Sequence, residues 1–386
     1  MNGWLVRRRP AHQVPRALAG AVALLAAALT LATAIPKPAD AGSHPTVGGA
    51  QLSGRGVIVN YPARDATRLP HVPASAYVIA DAGDGKVLAA KNPHGHFAPA
   101  STLKVLTADA LMPVLNPRET VMTSHAAAVV TPSKVGLVEG RRYRVSDLFT
   151  ALLLISANDA AISLAKATGS FPKGIALINA EARHLQADDT VAKMPNGLDA
   201  KGQHVSAYDE ALFARQALTM PAFMRIEAMR LTRFPLHRRH SVTLYNQNTM
   251  LKSYRGDLGG KIGWTTPAKA TFIGWARRGG HTLIVTILHC TPLKEMAAAA
   301  RLLDWGFDVD GKVKPVGILV RPLAASARAH PVPGAGHSQA RLALDTRFPT
   351  LPLAAAAGAL LLTGFATAAV LSVLRRRSQA GSRSGH

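Results

Sequence analysis

Two hairpin patterns bracket the interval 75–310, and they constrain the fold of this chain more than any other feature. Residues 76–81 read as an extended apolar run, Ala82-Gly83-Asp84-Gly85 supplies a turn, and 86–91 returns. At the far end 270–276 is followed by Arg277-Arg278-Gly279-Gly280 and then by the β-branched stretch 282–289. Between the two, apolar spacing is helical over 101–111, 147–155, 159–167 and 208–218. A last helix is predicted over 292–307, with Pro292 near its first turn and apolar Met296, Leu302 and Leu303. Strands at both ends with helices between do not alternate as a doubly wound sheet requires. They predict an α+β fold, in which an antiparallel sheet built from N- and C-terminal strands packs against a mostly helical block.

The flanks carry a different signal. Residues 17–36 carry no charge, are rich in Ala and Leu, and are preceded by Arg7, Arg8, Arg9 and Arg16. Small residues at Ala32-Thr33-Ala34 and Ala39-Asp40-Ala41 follow, so 1–41 reads as a secretory signal peptide, with an uncleaved N-terminal anchor as the rival. Residues 351–374 form an apolar stretch of 24 residues, and Arg375, Arg376 and Arg377 follow at once. This predicts a transmembrane helix, with 375–386 as a basic cytoplasmic tail and the folded domain outside the cytoplasm. The stretch 42–74 reads as a linker, and the Pro/Gly-rich 311–350 as a tether.

Net charge is +23 over 386 residues. Such an excess suits an anionic envelope polymer or membrane surface as well as nucleic acid. Aromatic residues are only 5%, and no zinc-finger or RNA-binding spacing is present, so no nucleic-acid partner is predicted. Hydrophobic residues at 48% exclude a disordered chain. The lone cysteine, Cys290, ends a β-branched strand and reads as a small core residue.

Three short motifs carry candidate chemistry. In Pro99-Ala100-Ser101-Thr102-Leu103-Lys104 a hydroxyl and an amine stand three apart at a helix start, on one face. The helix N-terminus favours a developing oxyanion, and a lysine beside a serine suits nucleophilic catalysis. A cap followed by a surface lysine gives the same pattern, and a second copy occurs at Ser170-Phe171-Pro172-Lys173, where Pro172 argues for a turn. Ser156-Ala157-Asn158 lies at a helix–helix junction, where it is either a cap or a pair of cleft groups. Lys261-Ile262-Gly263-Trp264-Thr265 precedes the second hairpin on a predicted strand, and Gly263 would admit a substrate close to the backbone. Lys134-Val135-Gly136 matches it by chance. His94-Gly95-His96 and the histidines at 237 and 240 show no accompanying acid pattern, so no metal is predicted.

Order and spacing decide among these readings. Ser101 precedes Ser156 by 55 residues, and Ser156 precedes Lys261 by 105. The chain here resembles the penicillin-binding D-alanyl-D-alanine carboxypeptidases, whose fold is that of the serine β-lactamases and whose motifs are Ser-x-x-Lys, Ser-x-Asn and Lys-Thr-Gly. Pro195-Asn196-Gly197-Leu198-Asp199 is similar to that family's Asn/His-Gly-Leu-Asp stretch. Asn246-Gln247-Asn248-Thr249-Met250-Leu251 and the run to Lys261 resemble its approach to the third motif. The tethered layout is like that of actinobacterial members. Two departures stand out. Ile262 replaces the family's Thr, whose hydroxyl helps hold the substrate's terminal carboxylate, a loss of about 1.5–3 kcal/mol. The stretch 311–350 is too short for the C-terminal β-domain of many relatives.

The resemblance implies a serine peptidase that removes the last D-alanine from peptidoglycan stem peptides and is acylated by β-lactams, with no cofactor. Ser101 would be the nucleophile and Lys104 its base, held neutral at a cost of about 3–4 kcal/mol. Ser156 and Asn158 would relay a proton and orient the substrate amide. Lys261, Gly263, Trp264 and Thr265 would form the substrate-binding strand, with the Ser101 and Trp264 amides as oxyanion hole. Alternatives are a peptidoglycan- or penicillin-binding module impaired by Ile262, a membrane scaffold, and a β-lactamase, for which the sequence shows no additional deacylating base.

Overall fold

The computed structural model describes residues 46–61, 67–237 and 240–324. The predicted signal or anchor, the transmembrane stretch, the basic tail and most of the tether lie outside them. Among the described residues no helix is long and apolar enough to cross a membrane.

In chain order the elements are β1 (Val57–Val59), β2 (Ala74–Asp81), β3 (Lys86–Lys91), α1 (Leu103–Leu111), β4 (Thr120–Met122), α2 (His125–Ala128) and β5 (Arg142–Arg144). Helices α3 (Val145–Leu154), α4 (Asn158–Ala167), α5 (Phe171–His184), α6 (Ala207–Ala217) and α7 (Pro221–Glu227) follow. The hairpin β6 (Leu231–His237) and β7 (His240–Tyr245) comes next, then α8 (Met250–Ser253), β8 (Asp257–Thr265), β9 (Lys269–Arg278), β10 (His281–Cys290), α9 (Glu295–Val309) and β11 (Gly317–Ile318).

The main sheet is antiparallel, in the order β1-β3-β2-β10-β9-β8, with β11 also on β3. Strands from the two ends of the domain thus meet at β2–β10, where Ile79 pairs with Val285 and Tyr77 with Ile287. Period-two alternation sends β2 side chains to both faces. Ala76, Val78 and Ala80 join the core with the helical block, while Tyr77 and Ile79 join a second core under α9. Helix α9 buries Ala298, Ala299, Leu302, Leu303 and Trp305 there. It lies so close to the sheet that a Cβ on Gly306 would come within 2.7 Å of Leu283 Cδ1.

Three sequence expectations need correction. Part of the expected linker 42–74 is sheet, because β1 pairs with β3 through Val57–Lys91, Ile58–Ala90 and Val59–Ala89. Part of the expected tether 311–350 is sheet as well, since Gly317 pairs with Val87 and Ile318 with Lys86. Both strands cover the outer edge of β3, which would otherwise present unpaired backbone groups. The second Ser-x-x-Lys is not a turn. Ser170 caps α5 by accepting from the Lys173 amide at 3.2 Å, and Pro172 falls in the first turn, where no amide hydrogen is required.

Candidate active site

Ser101 lies in a single 3-10 turn, Ala100–Thr102, that runs into α1. Three residues on, Lys104 turns inward and is fully buried. Its Nζ meets three oxygens: Ser101 Oγ at 2.8 Å, Asn158 Oδ1 at 2.8 Å and the Asn196 carbonyl at 2.7 Å. Asn158 opens α4, and its Nδ2 donates to the Thr131 carbonyl at 2.8 Å. A carbonyl only accepts, so this contact fixes the amide with its oxygen toward Lys104. The Asn196 carbonyl is presented by the 195–199 turn, where Gly197 has φ +77° and any Cβ would overlap the Ala100 carbonyl oxygen. Thr107 Oγ1 holds the same turn through the Pro195 carbonyl at 2.7 Å.

This geometry accommodates both protonation states of the amine: an ammonium donates to all three oxygens, whereas a neutral amine gives its two N–H donors to the amide carbonyls and turns its lone pair to the Ser101 hydroxyl. Burial holds Lys104 well below the ordinary lysine value, the positive charge of Lys261 pushes the same way, and the Asp159 carboxylate opposes both. Asp159 is itself tied down by the amides of Val135, Gly136 and Leu137 at 3.1, 2.8 and 2.9 Å. The chance Lys134-Val135-Gly136 match is therefore a loop folded round this carboxylate.

Strand β8 forms the facing wall. Lys261 is buried and donates to the Ile262 carbonyl at 2.7 Å. Glu227, at the end of α7, accepts from the Gly260 amide at 3.1 Å. Burial pulls Lys261 down and pushes Glu227 up, and the attraction between them opposes both shifts. A Cβ on Gly263 would lie 2.7 Å from the Ser101 backbone nitrogen, so only glycine lets β8 run against the nucleophile turn. Thr265 Oγ1 donates to Asp199 Oδ1 at 2.9 Å and joins the strand to the 195–199 turn. Trp264 stands 61% exposed at the rim.

Between the walls is a cleft of about 490 Å³, lined by Ser101, Ser156 and Asn158 on one side and by Gly263, Trp264 and Thr265 on the other. Lys104 and Lys261 lie buried beside it. Ser156, in the left-handed region at φ +63°, has its Oγ buried without a hydrogen-bond partner among the described residues.

Sequence reasoning missed the roles of Asn196 and Glu227, whose effects depend on long-range approach and leave no local pattern. It also missed the acid that serves His94 and His96. Asp189 meets His94 Nδ1 at 2.6 Å and His96 Nε2 at 3.2 Å, while His94 Nε2 faces the Val47 carbonyl at 3.1 Å. Cys290 is buried, and its thiol is pushed up to about 11 by burial and by the charge of Glu295.

Residues 63–291 match the family described as D-alanyl-D-alanine carboxypeptidase. The chain belongs to that family. It is 36% identical over 246 residues to the D-alanyl-D-alanine carboxypeptidase DacB2 of Mycobacterium tuberculosis, covering 62% of this chain and 84% of that one. It is 29% identical over 248 residues to the D-alanyl-D-alanine carboxypeptidase DacF of Bacillus subtilis, covering 62% of this chain and 64% of that longer relative. Among solved structures, a D-alanyl-D-alanine carboxypeptidase from Mycobacterium tuberculosis H37Rv superposes with a TM-score of 0.63 at 33% identity, covering 69% of this chain and all of that one. As a family member the chain is a serine peptidase, and the mixed helix and antiparallel-sheet architecture is that of its structural neighbours.

Proposed function

We propose that this chain removes the terminal D-alanine from peptidoglycan stem peptides through an acyl-enzyme on Ser101. The observation that carries the reading is the buried Lys104 amine, whose Nζ lies 2.8 Å from Ser101 Oγ between two carbonyl acceptors. Lys104 takes the Ser101 proton as Oγ attacks the carbonyl carbon of the penultimate D-alanine. The amides of Ser101 and Trp264 stabilise the oxyanion. The C–N bond then breaks, the leaving D-alanine amine takes a proton, and the acyl group remains as an ester on Ser101. Water hydrolyses that ester to a carboxylate and regenerates the hydroxyl.

Asn158 orients the substrate amide, and the Ser156 hydroxyl, which has no partner among the described residues, is free to pass a proton to the leaving nitrogen. The positive charge of Lys261 draws the substrate's terminal carboxylate toward β8. β-Lactams, which present a strained amide to the same serine, are the natural probe. Fluorescent penicillin should label the wild type covalently and fail to label Ser101→Ala. A folded wild-type protein that takes no label would sink the reading.

Ile262 favours a second reading, a module that acylates but turns over poorly, because an aliphatic side chain on the cleft wall offers the carboxylate no donor. Labelling without multiple turnover on a D-Ala-D-Ala peptide would select it. The apolar stretches 17–36 and 351–374, each beside arginines, support export and a single C-terminal span, with this domain outside the cytoplasm and close to the membrane. Protease accessibility of the domain in intact cells tests that placement.

A further inference from the structure

Glu295 opens α9 on the wall of the active-site cleft, beside Pro292 and Leu293. It is only 7% exposed, and its Oε2 is buried with no hydrogen-bond partner among the described residues. None of the ion pairs among the described residues includes it. A carboxylate in the first turn of a helix is ordinarily explained by the free amides and the positive dipole end there. Here Oε2 takes none of those amides. A buried carboxylate oxygen without a donor is destabilising, and the remedy is a donor brought by whatever fills the cleft. The rest of this wall is aliphatic: Ile262, Ala270 and Leu293, the last 90% exposed and held at φ +66°. Thr265 cannot supply a free hydroxyl proton, since it donates to Asp199.

We propose that Glu295 forms a cation subsite, which seats a side-chain ammonium carried by the terminal residue of the peptide. The inference rests on the reading above, in which Lys261 draws the terminal carboxylate. Ile262 follows Lys261 directly and lines the cleft with Leu293 and Glu295. A terminal residue anchored by its carboxylate near Lys261 therefore turns its side chain to that wall. A run of methylenes suits Ile262 and Leu293, and an ammonium at its end suits Glu295. The favoured leaving residue is a D-amino acid with a side-chain amine, of the kind D-lysine represents. The reaction is the same hydrolysis; only the amino acid released differs.

The test compares kcat/KM of the full-length chain on three N-acetylated peptides that differ in the last residue: D-Ala-D-Ala, D-Ala-D-norleucine and D-Ala-D-Lys. Norleucine keeps the aliphatic chain and lacks the amine. The D-Lys peptide should exceed the D-norleucine peptide by about tenfold or more, the range for one hydrogen bond to a charged group. Acetylating the D-Lys side chain, or Glu295→Gln, should bring the two within about twofold of each other. Equal rates for D-Lys and D-norleucine in the wild type overturn the subsite without any variant, and so does a preference that survives Glu295→Gln. Penicillin labelling of Ser101 is measured on the same preparations. Labelling with equal peptide rates overturns the subsite alone, whereas no labelling of the wild type overturns the Ser101 reading and the subsite with it.

Discussion

Lys104 sets the pH range in which this site can react. A protonated amine has no lone pair for the Ser101 hydroxyl. Burial and Lys261 lower its folded-state pKa, so the reactive form exists below the ordinary lysine range and is lost as pH falls through the lowered value. The same shift has a stability sign. Between the folded value and the unfolded value of about 10.4 the unfolded chain holds more protons, so stability rises with pH across that window. Penicillin acylation should rise with pH along one ionisation, and Lys261→Met should move that ionisation upward by removing a positive charge. An unmoved profile would show that Lys261 does not act on Lys104. Ile262→Thr should raise kcat/KM on D-Ala-D-Ala peptides about tenfold to a hundredfold, with unchanged or lower turnover counting against the proposed cost of the aliphatic side chain. Ser101, Lys104 and Asn158 were legible because each belongs to a short motif whose order could be read. Asn196 contributes a backbone carbonyl to Lys104, and Glu227 a field together with an acceptor for the Gly260 amide, and neither role shows in the local side-chain pattern.

At the scale of elements, two copies of Ser-x-x-Lys have opposite fates. Ser101 enters a 3-10 turn wedged against β8, whereas Ser170 caps the surface end of α5. Ser170→Ala should lower stability by about 1 kcal/mol in denaturant unfolding and leave penicillin labelling intact. The turn 195–199 is less forgiving. Gly197→Ala combines a left-handed φ of +77° with overlap on the Ala100 carbonyl, so it should cost several kcal/mol and displace the Lys104 acceptor, read as a lower melting midpoint together with slower acylation. The long hairpins and helices were legible because their periods are local: β3 runs over Lys86–Lys91, as its turn signals imply. The hairpin β6–β7 was not, since a basic stretch interrupted by Pro235 shows no clean alternation. Neither were β1 and β11, whose three and two residues are too few to display a period.

For the molecule as a whole, the stretches read as linker and tether hold the fold closed along β3. Leu52 and Leu319 are buried, and Val316 joins them in the core. A chain cut to 75–310 loses these contacts, each worth about 1.5–3 kcal/mol, and should melt at least about 10 °C below one that spans 46–324. Equal melting points would mean that the flanking strands only rest on the domain. The opposite margin of the sheet is treated differently. Strand β8 ends the order, and among the described residues the side that faces Ser101 carries no further strand. Its outward amides and carbonyls can therefore be completed by a guest chain lying extended along it, as though adding another rung to a ladder. Recognition of that kind reads main chain before side chain. It would give this enzyme a grip on a peptide terminus of suitable backbone, and leave the cleft's walls to choose among such termini.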